Sequence, residues 1–204
     1  MPTLYLIRHG EVANPNHVCY ATMPGFNLSA LGVLQAHAAG RHLAERPLDV
    51  VLTSPLARAR QTATAIGRHH DVPVQVDDRL IETGQLPHWT GMRWDDIADV
   101  HADELAQYLR DATQVDGSVE TIADLAERTT RAIDDAFASG HGHVAAVGHQ
   151  DASQAMRLAL TGRPLSELRV DPPPHAAVIT MTRSGDGWIE QSVWSPEIEM
   201  SDVI

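Results

Sequence analysis

The sequence predicts an α/β fold, a three-layer sandwich in which helices flank a mainly parallel central sheet and a small helical cap covers the functional edge. Short apolar runs typical of buried strands alternate along the chain with longer segments of helical spacing. This alternation favours parallel strand pairing. Three of the strand-like runs lead into arginine or histidine residues, and the carboxyl ends of parallel strands share one edge of a sheet.

The length and composition are typical of one globular domain. A chain of 204 residues, 43% hydrophobic and 21% charged, fits a single domain over residues 1–204 with a cap insertion at about 84–119. The formal net charge of −12 argues against nucleic-acid binding, which needs a basic face. An acidic protein that binds an anion must collect its few cations in one pocket.

The sequence also leads to an expectation about location. No apolar run approaches the roughly 20 residues of a membrane span, and the N-terminus lacks the features of a secretion signal. The single cysteine, Cys19, excludes an intrachain disulfide. We therefore expect a cytoplasmic protein without membrane or nucleic-acid partners. A homodimer is compatible with the sequence, which leaves the oligomeric state open.

The first strand is predicted over residues 3–7 and runs into Arg8, His9 and Gly10. An arginine can grip a phosphate or carboxylate with two parallel hydrogen bonds, and a histidine can act as nucleophile or proton carrier. A glycine lets the chain turn sharply and approach a ligand. By itself, the triplet fits a strand followed by polar loop residues equally well.

The second strand, predicted over 49–53, leads into a helix that carries another arginine. Ser54 is a candidate N-cap, and Pro55 occupies the favoured first helical position. Arg58 then falls in or just after the first turn, close to the end of the strand. Arg60 lies about 200° further round the helix and is expected in solvent.

The remaining predicted elements complete the alternation. Ser29 is the N-cap of the first helix, which follows a loop over 12–27. The segment from 84 to about 119 contains no clear strand and is predicted to cap the site. Residues 184–187 have the composition of a hairpin turn, and those from Pro196 onward form a tail. Helices are predicted over 30–45, 93–110, 120–137 and about 150–160, and strands over 72–76, 143–148, 176–182 and 188–194.

Four side chains are predicted to meet at the carboxyl edge of the sheet. Arg8 and His9 follow the first strand, Arg58 follows the second by one helical turn, and His149 follows the strand over 143–148. Backbone N–H groups at the start of the next helix also favour an anion there. The sequence therefore predicts an anion-binding site, because unrelated surface residues would have to coincide three times.

Several short motifs occur in a fixed order between residues 4 and 149. They are Arg8-His9-Gly10-Glu11, Leu56-x-Arg58-Ala59-x-Gln61-Thr62, Leu80-x-Glu82, Trp89-x-Gly91 and Val147-Gly148-His149. This ordered set resembles the histidine phosphatase superfamily, also called the phosphoglycerate mutase-like family. The two closing strands fit the resemblance as well.

The resemblance implies a role for each of five residues. His9 would be the nucleophile that becomes phosphohistidine, and Arg8, Arg58 and His149 would hold the phosphoryl oxygens. Glu82 would donate a proton to the leaving group. Such a reaction consists mainly of in-line positioning and charge stabilisation, and nearby cations help to keep the histidine neutral. Neither a metal nor a cofactor is implied.

The chain departs from the family pattern in places that concern the rest of the substrate. Where the family often has an asparagine after the nucleophile, Pro15 stands between Asn14 and Asn16. Where it often has two small residues after the second histidine, this chain has Gln150-Asp151, and Pro87 replaces a glycine before Trp89. Asn14, Asn16 and Gln150 are therefore candidate substrate-binding residues.

The preferred function is hydrolysis of a small phosphorylated metabolite, with two alternatives. A phosphoglycerate-mutase-type transfer is possible within the same family, but mutases carry a longer insertion around the site. A non-catalytic module that binds a phosphorylated ligand would not need His9 and Glu82. The histidine pairs His69-His70 and His141-x-His143 are interpreted as solvated rather than as metal ligands.

Overall fold

The computed structural model describes residues 1–84, 86–185 and 187–198, which form one six-stranded sheet with helices on both sides. The strand order is β3-β2-β4-β1-β5-β6. The first four strands in this order are parallel, and β5 and β6 continue the sheet in antiparallel fashion. The strands are β1 (Thr3–Arg8), β2 (Val50–Thr53), β3 (Val74–Val76), β4 (His143–Gly148), β5 (Val178–Ser184) and β6 (Gly187–Trp194).

The helices follow the predicted alternation closely. Short 3-10 turns connect them at Asp78–Leu80, Pro87–Trp89, Ala112–Gln114 and Leu165–Arg169. The helices are α1 (Ala30–Leu43), α2 (Ala57–Gly67), α3 (Trp94–Val100), α4 (Ala102–Arg110), α5 (Ile122–Ala138) and α6 (Gln150–Leu160). In the part of the chain that the structure describes, no helix is both long and apolar enough to cross a bilayer.

The two faces of the sheet bury separate apolar clusters. Side chains alternate along a strand, so Leu4 and Leu6 of β1 face one side and pack with Ile133 of α5 and Met156 of α6. Tyr5 and Ile7 of the same strand face the other side, where the cluster includes residues of α1 and α2. These two helix layers confirm the predicted three-layer sandwich with a mainly parallel sheet.

Two sequence-based boundaries were wrong. The single helix predicted over 93–110 is broken at His101, whose backbone angles of φ −123° and ψ 37° are not helical. Ile97 and Tyr108 both pack in the cluster around Trp89, whereas an unbroken helix would separate them by about 16 Å along its axis. The break therefore lets the segment fold back and bury both side chains.

The start of α2 is the second correction. Helix α2 begins at Ala57 with Leu56 at the N-cap, so Ser54 and Pro55 lie before it. Ser54 Oγ accepts a long hydrogen bond of 3.3 Å from the Leu56 N–H, but its hydroxyl also contacts His149. The serine is therefore held by the functional edge rather than by the helix. Arg58 still lies in the first turn, as predicted, and Arg60 is exposed. For the predicted hairpin turn and tail, Asp186 and residues 199–204 lie outside the described residues.

Gly10 is required by the packing of the chain on itself. A Cβ at Gly10 would lie 2.5 Å from the carbonyl oxygen of Gly32 in α1. The backbone that Gly10 approaches is therefore that of α1, which fixes this helix against the end of β1.

We expect Gly10→Ala to destabilise the protein by about 1–3 kcal/mol, because rigid backbone must move to admit the methyl group. Urea unfolding monitored by circular dichroism measures the change. Gly187→Ala is the matched control. Apart from the glycine and its chain neighbours, no heavy atom of the described residues would lie within 4 Å of a Cβ added there, so the free energy of unfolding should change by no more than about 0.5 kcal/mol. Equal effects of the two substitutions would contradict the packing argument.

Candidate active site

The carboxyl edge of the parallel strands brings four of the predicted residues together. His9 follows β1, Arg58 lies in the first turn of α2 after β2, and His149 follows β4 and is the N-cap of α6. The ring centroids of His9 and His149 are 5.1 Å apart, and both rings are buried. Arg8, the last residue of β1, lines the same pocket as His9.

His9 is held in one tautomer. Its Nδ1 lies 2.7 Å from the carbonyl oxygen of Gly10, and because a carbonyl can only accept, Nδ1 carries the proton. The Nε2 atom then has its lone pair available. Burial, with further contributions from Arg58 and Arg8, holds the pKa of His9 well below its usual range. The ring is therefore neutral near pH 7, as a nitrogen nucleophile must be.

Arg58 and His149 form a buried chain of hydrogen bonds. The Arg58 Nε–H donates to His149 Nδ1 at 3.2 Å, and the opposite ring nitrogen, Nε2, lies 2.7 Å from Ser54 Oγ. Burial lowers the pKa of His149 well below its usual value, with further contributions from His9 and Arg58. His149 Nε2–H can donate to a ligand only after its hydrogen bond to Ser54 is broken.

The loop over 12–27 covers Arg58. The guanidinium lies 4.7 Å from the centre of the Tyr20 ring, and its Nη2–H donates to the carbonyl oxygen of Ala21 at 2.6 Å. Tyr20 in turn stacks on Phe26, with ring centroids 5.0 Å apart. These contacts fix the plane of the guanidinium and enclose it.

Arg8 is fixed from the other end of the chain. Its Nη1–H donates to the carbonyl oxygen of Pro173, and Nη2 lies 3.0 Å from His175 Nε2. Burial and then the charge of Arg8 lower the pKa of His175 to about 4, so this ring is a neutral acceptor. Sequence reasoning missed His175, since it lies in a loop before β5 with no motif around it.

Two guanidinium N–H groups point to the kind of ligand that the site would bind. Among the described residues, Arg8 Nε and Arg58 Nη1 are buried and have no hydrogen-bond partner. A buried charged donor without an acceptor is costly, and native proteins rarely leave one. An anion bound beside His9 would supply the missing acceptors.

Glu82 lies at the N-terminus of α6. Its carboxylate accepts hydrogen bonds from the backbone N–H groups of Thr83, Ala152 and Asp151, at 2.9, 3.0 and 3.3 Å. Burial, followed by the nearby charge of Asp151, raises the pKa of Glu82 to about 7. The carboxyl group can therefore carry a proton at neutral pH, and it lines the same pocket as His9.

Asp151, Tyr108 and Arg169 form a second network on the pocket wall. The Tyr108 hydroxyl donates to Asp151 Oδ2, and the Arg169 guanidinium donates to Oδ1 at 2.9 Å. The guanidinium also lies 5.0 Å from the centre of the Tyr108 ring. Sequence reasoning missed Tyr108 and Arg169, because α4 and the 3-10 turn that carry them have no position fixed by the sheet.

The pocket over these groups has a volume of about 500 Å³. Beyond the polar groups, its wall is largely apolar and comes from the loop over 12–27 and from the segment 84–109. The apolar residues on the wall include Val18, Tyr20, Leu86, Trp89, Trp94, Leu105, Tyr108 and Leu109.

The three predicted substrate-binding side chains differ in position. Gln150 lines the pocket. Asn14 exchanges two hydrogen bonds with the backbone of Val18, and Asn16 is exposed in the same loop; neither is on the pocket wall among the described residues. Asn14 therefore shapes the loop in this structure, while Gln150 faces the space that a ligand would occupy.

The fold and the buried, donor-rich edge are those of an α/β protein built around an anion site. A family model for the histidine phosphatase superfamily (branch 1) matches residues 4–194. The chain therefore belongs to the histidine phosphatase superfamily, which confirms the resemblance found in its motifs.

Similar proteins of known sequence or structure are consistent with this family assignment. An uncharacterised protein of Mycobacterium tuberculosis is 37% identical over 163 residues, covering 79% of this chain and 80% of that protein. Glucosyl-3-phosphoglycerate phosphatase of Mycolicibacterium vanbaalenii is 31% identical over 173 residues, covering 79% of this chain and 75% of the relative. A solved structure of mycobacterial glucosyl-3-phosphoglycerate phosphatase in complex with VO3 has 27% identity and a TM-score of 0.84, and the match covers 97% of this chain and 100% of that chain.

Arg58→Ala should lower kcat/KM for a phosphomonoester by about 10²–10³, because one charged donor to the developing negative charge is lost. Arg60→Ala is the matched control in the same helix, since Arg60 is exposed, and it should stay within about twofold of the parent. Arg58→Lys keeps the positive charge but removes the planar arrangement of guanidinium donors. Its activity therefore separates the contribution of the charge from that of the hydrogen-bond geometry. Thermal unfolding checks that each variant is folded. Equal activity of Arg58→Ala and Arg60→Ala would remove Arg58 from the site.

Proposed function

We propose that the protein is a phosphomonoester hydrolase that acts on a small phosphorylated metabolite through a phosphohistidine formed on His9. The observation that carries the proposal is the neutral His9 ring, with Nε2 available beside two buried guanidinium groups that each have one N–H to spare. This arrangement supplies a nucleophile and the donors for a phosphoryl group.

In the first step, the lone pair of His9 Nε2 forms a bond to phosphorus while the bond to the leaving oxygen breaks. Arg8 and Arg58 donate hydrogen bonds to the phosphoryl oxygens as negative charge develops. Glu82, protonated at the start, gives its proton to the leaving oxygen and releases an alcohol. His149 orients Arg58 through the hydrogen bond between them. Once the hydrogen bond between His149 Nε2 and Ser54 is broken, the Nε2–H group donates to a phosphoryl oxygen.

In the second step, the Glu82 carboxylate takes a proton from water as the water oxygen bonds to phosphorus. The nitrogen–phosphorus bond breaks, and its electron pair returns to His9 Nε2. The products are inorganic phosphate and the starting enzyme, with Glu82 protonated again. Every charge needed in both steps comes from side chains, so we propose that the chemistry is independent of metal.

The pocket wall bears on the class of substrate. Arg8 and Arg58 are assigned to the phosphoryl group. Among the described residues, Arg169 is the arginine other than Arg8 on the pocket wall, and it is paired with Asp151. A phosphorylated sugar acid, as used by a mutase of this family, carries a carboxylate that would need a further cation. We therefore favour a substrate whose alcohol is uncharged, and hydrolysis over mutase-type transfer.

The rest of the pocket supports a covered site. We propose that residues 84 to about 119 form a cap within a single domain over 1–204, because Leu86, Trp89 and Leu105 from this segment stand over the catalytic edge. We propose a cytoplasmic location, since a single thiol with no disulfide suits a reducing compartment.

A phosphate-release screen of the purified protein tests the proposal. The panel pairs phosphomonoesters of uncharged alcohols with 3-phosphoglycerate and phosphoserine, all measured before and after treatment with a chelator. We expect turnover of the uncharged class at the higher kcat/KM, unchanged within about twofold by the chelator. Tight binding of these esters without phosphate release would favour the non-catalytic module instead. Complete loss of turnover with the chelator, restored by one divalent metal, would contradict metal-independent chemistry.

A further inference from the structure

The segment over the pocket contains a group of side chains that the phosphatase reaction does not use. His88 lies in the 3-10 turn before α3, His101 at the break between α3 and α4, and Glu104 in the first turn of α4. We call these three residues the cap histidine cluster. Their side chains are 43%, 30% and 27% exposed, so the cluster can be reached from solvent.

The geometry of the cap histidine cluster is close to that of a metal site. One nitrogen of each histidine and a carboxylate oxygen of Glu104 all lie within 4.8 Å of one another. Glu104 Oε2 is 2.7 Å from His88 Nε2 and 3.8 Å from His101 Nδ1. In a tetrahedral zinc site with bonds of about 2.0–2.1 Å, the ligand atoms are about 3.3 Å apart. The observed distances bracket this value.

The type of ligand selects the metal. Two imidazoles and one carboxylate suit Zn²⁺ and related transition metals, and a site with three protein ligands leaves a fourth position for water. Magnesium and calcium prefer all-oxygen sites. Because the two histidines come from separate elements and converge on one carboxylate, a metal would join the turn that carries His88 to the start of α4.

Glu104 is also connected to the pocket. The indole N–H of Trp89 donates to the same Oε2 atom at 2.8 Å, and Trp89 lies on the pocket wall. This hydrogen bond orients the carboxylate, in the way that neighbouring donors commonly orient metal ligands. A metal on the cluster would therefore stiffen the part of the cap that holds the Trp89 ring.

We propose that the cap histidine cluster is a binding site for a transition-metal ion of the Zn²⁺ class, separate from the catalytic residues. The metal would stabilise the cap and take no part in the phosphoryl transfer, so it would not replace the positive charges of Arg8 and Arg58. The proposal stands on the cluster alone and does not depend on the phosphatase function.

The test uses the full-length protein, freed of metal with a chelator and dialysed. Titration with Co²⁺ followed by visible absorption reports tetrahedral coordination, and calorimetry with Zn²⁺ gives the affinity and stoichiometry. We expect one site per chain, the absorption bands of tetrahedral Co²⁺, and a melting temperature that rises with Zn²⁺ concentration, since a ligand that binds only the folded state stabilises it.

Three variants locate the site. His101→Ala and Glu104→Gln should each weaken binding by at least about tenfold, because even the loss of a group that only orients a metal ligand typically costs about 10–100-fold. The glutamine keeps an acceptor for Trp89, so the fold of the cap is preserved. His69→Ala removes an exposed histidine outside the cluster and should leave the affinity unchanged. Absence of stoichiometric binding at micromolar Zn²⁺, or equal affinity in all variants, would overturn the proposal.

Discussion

His9→Ala should abolish phosphate release, with a loss on the order of 10⁴-fold or more, while the free energy of unfolding changes little. The covalent step has no other electron pair at that position, because the neighbouring rings of His149 and His175 are engaged by Arg58 and Arg8. Steady-state kinetics on the best ester of the screen measures the loss. His69→Ala, at an exposed position, is the control and should keep the parent activity.

A trapping experiment identifies the intermediate directly. Rapid quenching of the parent after mixing with a phosphate-labelled ester should give a phosphoryl-enzyme that is labile in acid and stable in alkali, as expected for a nitrogen–phosphorus bond. His9→Ala should give none. Label that is stable in acid would indicate a serine ester, and label lost in alkali would indicate an acyl phosphate; either result would contradict the assignment of His9.

Glu82→Gln should slow hydrolysis of an alkyl phosphate by about 10²–10⁴, the usual contribution of a general acid. The loss on p-nitrophenyl phosphate should be much smaller, because nitrophenolate leaves without a proton. Glutamine preserves the shape of the side chain and can still accept the N–H of Ala152, which Glu82 Oε1 accepts at 3.0 Å. The comparison of the two leaving groups therefore isolates proton donation.

The pH profile gives an independent readout of the same residue. The pKa of Glu82 is raised to about 7 by burial and by Asp151, so the protonated acid is abundant below pH 7 and is lost as pH rises above it. For the alkyl ester, kcat/KM should fall above about pH 7 in the parent, and this limb should be absent in Glu82→Gln.

Equal losses on the two esters would assign Glu82 a structural role and require another acid. The structure orders the remaining candidates. Glu11 Oε1 accepts the hydroxyl of Ser29, the N-cap of α1, at 2.7 Å, so that carboxylate is occupied away from the pocket. Asp151 lines the pocket but is tied to Tyr108 and Arg169.

The parts of the site that follow strands could be predicted from sequence. Arg8 is the last residue of β1, His9 follows it, and His149 follows β4. Parallel pairing alone brings those strand ends to one edge. Arg58 lies in the first turn of α2, shortly after β2, so the parallel pairing of β2 and β4 brings it to the same edge. The alternation of strands and helices can be recognised in the sequence. Because this alternation implies parallel strands, it also predicts that these residues meet at one edge.

The parts of the site carried by loops and short turns could not be predicted in this way. His175 reaches Arg8 from the loop before β5. Tyr108 contacts Arg169 on the pocket wall, and the chain between the helices that precede this contact breaks at His101. Neither contact follows from a period of hydrophobic residues or from a turn motif. Such contacts depend on long-range packing, which a single sequence does not encode in any local pattern.

The central place of β1 in the sheet affects how the protein acquires activity during synthesis. β1 leaves the ribosome well before its two neighbours in the sheet, β4 and β5, which begin at His143 and Val178. Until then both edges of β1 are unpaired, and the nascent chain must keep an apolar strand from associating with other chains. Arg8 also lacks its hydrogen-bond partners until Pro173 and His175 have been synthesised. Folding that depends on such distant pairings is slow, so we expect phosphate release only after Pro173, His175 and β5 have been synthesised.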